Sequence, residues 1–340
     1  MTQVPDSART SWPPVSVVMP VWNEERHLRS AVTQVLAQDY PGDLEVVIAL
    51  APSDDRTKEI AQEIVGSDPR VRLVDNPAGV TPSGLNLAIR EASYDVIVRV
   101  DGHGILSPGY IQRAVEVLEE TGADNVGGVQ AAEGETPFEE AAAFAYRSPL
   151  GLGGGRFHVG GVPGPADSVY LGVFRRATLE KLGGYDEAFV RAQDWELNLR
   201  IRQAGGVVWF TPELSVTYRP RANLKALARQ FYRTGRWRRL IGRLHQTFGV
   251  RYLAAPAACV GCAAGLLLGL IGLAAGVPWL LAGFVVPGAY VVGVLVGSAL
   301  LGRGLPLRAL LWLPVVVATM HMTWGLGFLL SPRSLVDRRT

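Results

Sequence analysis

The sequence predicts an α/β domain built on a doubly wound sheet and followed by a helical tail that enters a membrane. Three observations carry this reading. Short β-branched runs alternate with segments of helical periodicity through the first hundred residues. Charge is sorted along the chain: before Arg219, 30 acidic residues stand against 18 basic ones, whereas residues 219–251 hold ten basic residues and no acidic one. Beyond Arg251 there are five Arg and one Asp. The 340 residues are 48% hydrophobic, a content that excludes intrinsic disorder and suits an acidic globule, a basic collar and an apolar tail.

Taken in order, Val15–Met19 is the first strand, and after Asn23 the residues Leu28, Ala31, Val32, Val35 and Leu36 recur at helical spacing. Glu45–Leu50 is the second strand. A Pro52-Ser53-Asp54-Asp55 turn follows, and Ile60, Ala61, Ile64 and Val65 continue as helix. Val71–Val74 is the third strand, Ser83 is placed to cap a helix carrying Leu85, Ala88 and Ile89, and Asp95–Val100 is the fourth strand. This rhythm predicts a mostly parallel sheet whose ligands bind beyond the carboxyl ends of the strands. Glu133–Pro165, with GLGGG and GGVPG, reads as mobile loops around a substrate cleft. Order returns at Val169–Phe174, a helix follows over Arg175–Leu182, and another starts near Asp194 with Leu197, Ile201 and Ala204 on one face.

Residues 223–248 set Leu224, Leu227, Phe231, Trp237 and Leu240 among arginines, the pattern of a helix on a membrane surface. Tyr252–Ala275, Val277–Leu301 and Leu307–Leu330 each offer about 24 nearly uncharged residues, enough for a ~30 Å hydrocarbon core at ~1.5 Å per residue. Trp279, Trp312 and Trp324 are expected near interfaces. Cys259 and Cys262 fall inside the first apolar span and read as small packing residues, with no second ligand pair for zinc. The positive-inside rule assigns the collar and the Arg303–Arg308 loop to the cytoplasm. Three crossings would export a tail that holds Arg333, Arg338 and Arg339, so either that tail is an exception or the third segment is re-entrant. The first fourteen residues have no apolar core and do not read as a signal peptide. The expected organisation is a flexible 1–14, a catalytic domain over 15–218, a basic membrane-interface region over 219–251, three membrane helices over 252–330 and a tail over 331–340. The protein is then a multi-pass inner-membrane protein with its catalytic domain in the cytoplasm.

Three polar loops fall after strands: Pro20-Val21-Trp22-Asn23-Glu24, Ala51–Asp55 and Asp101-Gly102-His103. Together with these, VSVVMPVWNEE, VDGH, GGYDEAFVRAQDWELNLRIRQAGG and RQFYRTGRWRR, in this order and over roughly Val15–Arg239, resemble the inverting family 2 glycosyltransferases. ALAPSDDRT, DGH, QDWELN and YRPR further resemble the succinoglycan-type exopolysaccharide glucosyltransferases. The resemblance implies a GT-A type, doubly wound mixed sheet and a divalent ion, Mg²⁺ or Mn²⁺, to neutralise a departing nucleoside diphosphate. Asp101 would ligate that ion, with His103 where relatives carry a second acidic residue.

Asp194 is implied as the base that takes the acceptor's proton, a role it can combine with an N-cap only if one oxygen faces the cleft. Glu196 is the weaker candidate, and Gln193, where many relatives have Glu, cannot be a base. Donor contacts are assigned to Pro20, Val21, Trp22, Asn23 and Glu24, to Ser53 or Asp55, to Asn86 and Arg99 near the diphosphate, and to Asp101. Leu50 and Ala51 replace an acidic pair that reads uracil in many relatives, which leaves Asp54 and Asp55 either to substitute for it or to cap the next helix. Gln230, Arg233, Arg236 and Trp237 are assigned to acceptor and phosphates, or else to the surface helix alone. His158 is expected to face solvent.

The function implied is transfer of a hexose, glucose by the subfamily resemblance, from a nucleotide diphosphate sugar to a lipid-linked saccharide in exopolysaccharide or envelope glycan synthesis. Transfer to a polyprenyl phosphate is the rival within the class, and an inactive nucleotide-sugar-binding scaffold is the rival outside it. Nucleic acid is not an expected partner, because the basic residues cluster beside apolar spans. No oligomeric state is assigned.

Overall fold

The structure, a computed structural model, describes residues 11–152, 155–246 and 249–332. Among these, β1 (Val15–Val21), α1 (Leu28–Leu36), β2 (Leu44–Leu50), α2 (Thr57–Ser67), β3 (Val71–Asp75), α3 (Thr81–Glu91) and β4 (Val96–Arg99) alternate as expected. Val15, Val17, Met19, Val46, Ile48 and Val98 are all completely buried, because a parallel strand is covered by helices on both faces and therefore reads as a continuous apolar run. Val17 pairs with Val46 on one side and Val98 on the other, so the first strand lies at the centre of the core. Ser83 is not a cap. The helix starts at Thr81, and the Ser83 hydroxyl is buried, donating to Asn76 Oδ1 at 2.7 Å.

The strands β5 (Ile105–Leu106), β6 (Asn125–Ala132), β7 (Gly164–Pro165), β8 (Tyr170–Arg175) and β9 (Val208–Tyr218) complete a sheet of order β3-β2-β1-β4-β8-β6-β9-β5, with β7 on β9. Parallel pairing ends at β4, since β8 lies antiparallel to both β4 and β6. The sheet is thus mixed, parallel only over its first four strands. β1 sits between β2 and β4, so consecutive connections leave it in opposite directions, which is the arrangement that opens a crevice at the carboxyl ends.

The helices between β4 and β9 are α4 (Tyr110–Thr121), α5 (Pro137–Arg147), α6 (Arg156–Val159), α7 (Arg176–Lys181) and α8 (Gln193–Gln203). The helix α5 corrects the expectation of mobile loops over 133–165. Thr136 accepts from the Glu139 N–H, Glu139 in turn accepts from the Thr136 N–H, and Pro137 opens the first turn, a capping box that satisfies two of the backbone donors left open at the helix start.

Four helices follow: α9 (Leu224–Leu244), α10 (Ala254–Ala275), α11 (Val285–Leu301) and α12 (Leu307–Leu329). Three stretches, Val250–Ala275, Pro278–Leu301 and Leu307–Leu329, are long and apolar enough to cross a membrane. Among the described residues, those within 11–130 and 161–217 form one compact unit and those within 131–160 and 218–332 form another. The tail arginines Arg333, Arg338 and Arg339, and most of the segment expected to be flexible at the amino end, lie outside the described residues. Within the second unit the apolar side of α9 is not open to lipid as expected. Leu227 and Phe231 join Phe138 and Ala142 of α5 and Val316 and Met320 of α12 in one core. Trp324 is also inside, stacked at 5.4 Å on Phe328, whereas Trp279 is 74% exposed.

Candidate active site

The first unit brings the three polar loops together by backbone-directed bonds. The Asn23 N–H donates to Ser53 Oγ at 3.1 Å, and the Asp54 N–H donates to Asn23 Oδ1 at 2.9 Å. Asn23 makes this exchange with φ 53°, a left-handed conformation that asparagine tolerates better than most residues. The Glu24 N–H donates to Thr57 Oγ1 at 2.7 Å, and the Glu25 N–H to Asp55 Oδ2 at 3.2 Å. Asp55 Oδ1 accepts from the Thr57 N–H at 3.0 Å and from its hydroxyl at 2.5 Å. These bonds, the Thr57 hydroxyl first, hold the Asp55 carboxyl below its ordinary value. Asp55 therefore fastens the start of α2 to the first loop, and Ser53 does the same for Asn23.

Gly102 lets the loop after β4 lie against the loop after β1. An added Cβ there would stand 3.1 Å from the Glu24 Cγ and 3.2 Å from the Val21 side chain. Across this junction Glu24 Oε1 lies 2.7 Å from His103 Nδ1. Val21 is only 2% exposed and belongs to the core, which corrects its assignment to the donor surface; Pro20 is half-buried, and Trp22 is 58% exposed.

At the end of β4 stands Arg99, 3% exposed. Its guanidinium pairs with Asp101 Oδ1 at 3.0 Å and also with Asp194 Oδ1. Burial opposes its charge and the Asp101 carboxylate more than restores it, so the cation is held. Tyr185 lies with its ring centroid 5.8 Å from the guanidinium carbon, and burial pushes its own hydroxyl titration up. Arg99 is thus a buried bridge between the two carboxylates. Asn86 is likewise taken up: its Nδ2 donates to the Tyr185 carbonyl at 2.8 Å and its Oδ1 accepts from the Tyr185 N–H at 2.8 Å.

Asp194 is the second residue of α8, and its side chain keeps 25% exposure while Asp101 keeps 23%. It is not the N-cap. That position is Ala192, with φ 59° and no side-chain cap, a conformation costing an L-residue about 1–2 kcal/mol. Strain of this kind persists where the surroundings fix it, and here it delivers Asp194 to Arg99. Glu196 is used elsewhere: 2% exposed, it pairs with Arg200 at 2.6 Å, while Arg200 also holds the Leu182 and Gly184 carbonyls. Tyr185, Thr57 and Arg200 went unassigned in the sequence, although the YDEAF and DDRT stretches contain the first two.

The other assigned group lies on α9 in the second unit. Gln230 accepts from Arg221 Nε at 3.2 Å and donates to the Tyr218 hydroxyl at 2.9 Å. Arg233 is exposed, and Arg236 lies over the Tyr232 ring at 5.8 Å. Trp237 is only 7% exposed, so little of its ring is open for stacking on a sugar. His158 is half-buried, with its ring centroid 4.0 Å from that of Phe157, and burial pushes its pKa down to about 4. It is a neutral packed imidazole, not the solvent-facing one expected.

Among the described residues no three His, Cys, Asp or Glu converge as a metal cage. Asp101 and His103 still fit a divalent ion of the Mg²⁺ type, which takes one or two carboxylates and completes its shell with substrate phosphates and water. Glu24 fixes His103 through Nδ1, as carboxylates commonly fix metal-bound imidazoles.

A mixed sheet whose parallel half ends in converging carboxylates defines a class, the GT-A glycosyltransferases. A mannosyltransferase from Pyrobaculum calidifontis, solved with GDP-Man and Mn²⁺, has this fold: it is 20% identical, the alignment covers 94% of this chain and 88% of that one, and the TM-score is 0.58. Residues 16–183 match the family model for glycosyl transferase family 2. The chain is 34% identical to the succinoglycan biosynthesis protein ExoA of Rhizobium meliloti over 95% of each protein. It is 23% identical, over 64% of this chain and 70% of the other, to a dolichyl N-acetyl-alpha-D-glucosaminyl phosphate 3-beta-D-2,3-diacetamido-2,3-dideoxy-beta-D-glucuronosyltransferase of Methanococcus voltae. This chain belongs to the family 2 glycosyltransferases.

Proposed function

We propose that the protein is a membrane-anchored, inverting hexosyltransferase of exopolysaccharide synthesis, passing a sugar from a nucleotide diphosphate donor to a lipid-linked saccharide on the cytoplasmic leaflet. The observation that carries this is the meeting of Asp101 and Asp194 on Arg99. Two carboxylates with different neighbours and one shared cation can divide two tasks. Asp194, at the exposed start of α8, accepts the proton of the acceptor hydroxyl as that oxygen attacks the anomeric carbon opposite the departing diphosphate. Asp101 and His103 hold the divalent ion, which supplies charge neutralisation of the leaving diphosphate. Pro20, Trp22 and Glu24 offer the surface against the nucleoside. Arg233 and Arg236 are the candidates for acceptor phosphate.

The similarity to ExoA over nearly the full length supports exopolysaccharide synthesis. The name of the Methanococcus relative, with its lipid-linked sugar, supports a lipid-linked saccharide over a bare polyprenyl phosphate. The deciding experiment is donor hydrolysis and transfer by detergent-purified protein with a panel of nucleotide sugars and membrane lipid extract, with and without Mn²⁺. Metal-dependent release of nucleoside diphosphate, lost in Asp194→Asn while donor binding persists, is the expected result. Full activity in that variant would point to a phosphate acceptor, which needs less help from a base. Binding of a donor without any turnover would identify an inactive scaffold.

A further inference from the structure

The three apolar stretches are alike in length and composition but not in surroundings. In α10, Leu266, Leu267, Leu268, Leu270, Ile271 and Leu273 are all exposed, and in this stretch only a narrow face of Gly265, Gly269 and Gly272 is buried, so this helix presents apolar side chains over most of its circumference. The helix α12 exposes apolar residues on one side only, at Leu307, Leu311, Val315, Leu326 and Leu330, and buries Leu313, Val316, Val317 and Met320 on the other.

What covers that buried side decides its place. Over its first half it packs on α5, with the Trp312 and Phe138 rings 5.5 Å apart. Over its second half it runs beside α9 in the same direction, while the first turns of α10 meet it at Gly325, beside Ala255 and Cys259, and α11 meets it through the Tyr290 hydroxyl, 3.2 Å from His321 Nδ1. Gly235 meets the Trp324 carbonyl and Gly327 meets the Tyr232 carbonyl, with no room for a Cβ at either glycine. Arg239 donates to the Leu329 carbonyl at 2.5 Å, Arg243 to the Ser331 carbonyl at 3.3 Å, and the Ser331 hydroxyl to the Arg236 carbonyl at 2.8 Å. The Arg239 bond satisfies one of the carbonyls that any helix leaves open at its end. At mid-helix, His321 Nε2 lies 2.7 Å from the Leu150 carbonyl, part of the irregular backbone after α5.

If α12 crossed the bilayer, α9 would go with it, carrying arginines at 229, 233, 236, 238, 239 and 243 into hydrocarbon. So would the acidic first turn of α5, with Glu139 and Glu140. We propose that α12 does not span the membrane but lies in the plane of the cytoplasmic leaflet. Its exposed stripe rests on acyl chains, and the arginines of α9 meet anionic phospholipid headgroups. The chain then returns to the side from which it left, and Arg333, Arg338 and Arg339 obey the positive-inside rule.

Two measurements on the full-length protein test this, and neither depends on its chemistry. Epitope tags before Met1 and after Thr340, on an otherwise unaltered chain, are digested by protease in sealed vesicles of known orientation. Loss of both tags in inside-out vesicles and protection of both in right-side-out vesicles is expected; opposite behaviour of the two tags overturns the proposal. Separately, after Cys259→Ala and Cys262→Ala, spin labels at Leu311→Cys, Val315→Cys, Leu326→Cys and Leu330→Cys report depth in vesicles containing anionic lipid. Four similar shallow depths are expected. Labels at 315 and 326 lying well below those at 311 and 330 overturn it.

Discussion

The two ends of the parallel strands hold carboxylates in opposite ways. At the amino end, Glu45 accepts from the Ser16 hydroxyl at 2.6 Å, the Ser93 N–H at 2.5 Å, the Ser93 hydroxyl at 3.1 Å and Arg72 at 2.8 Å. At the carboxyl end, Asp101 and Asp194 share one guanidinium and remain a quarter exposed. The same functional group is a structural tie where donors saturate it and a reagent where it is left with acceptor capacity. Burial alone would raise the Glu45 titration, but the bonds from Ser16, Ser93 and Arg72 outweigh it and hold the carboxyl below the ordinary range.

Asp194→Asn is the sharpest test of this contrast. Turnover is expected to fall on the order of 10³-fold with little change in melting temperature, measured on purified protein with its identified donor. Asp101→Asn should cost about 10²-fold in turnover and raise the Mn²⁺ concentration needed for half-maximal rate. Glu45→Gln should do the reverse, lowering stability by about 1–3 kcal/mol in denaturant unfolding while leaving kcat unchanged, because an amide nitrogen would face donors. The acid limb of stability belongs to this residue as well. Its folded pKa is depressed, so its contribution is present above the unfolded value of about 4.3 and is lost as pH falls through the folded one. The Glu45→Gln protein should lack that component. Trp22→Ala should raise KM for the donor about 2- to 10-fold without changing kcat, the smallest of these effects.

The reactive end was legible in part. The first four strands read clearly because burial on both faces makes them continuous apolar runs, and the polar residues that follow such runs mark the crevice. The antiparallel strands were hidden by composition: β6 carries Gly127 and Gly128, and β9 carries Pro212. The helix α5 lay within a Gly-rich region whose average outweighed a local signal, the Thr136–Glu139 box. The burial of Arg99 between two carboxylates was not legible, because a single arginine inside a strand does not reveal which way it points, and the alternation of a four-residue strand is too short to decide it. The burial of Trp237 was hidden for a related reason, since the sequence does not tell whether an aromatic among arginines faces outward or inward.

One consequence follows from Ala192. Its β-carbon occupies a left-handed conformation that glycine adopts freely. Ala192→Gly would release about 1–2 kcal/mol of strain against about 0.4–1 kcal/mol of added freedom in the unfolded chain. For engineering this is an unusual opening: heat tolerance and turnover ordinarily pull against each other near a reactive group, yet here deletion of one methyl group should improve the first and leave the second intact.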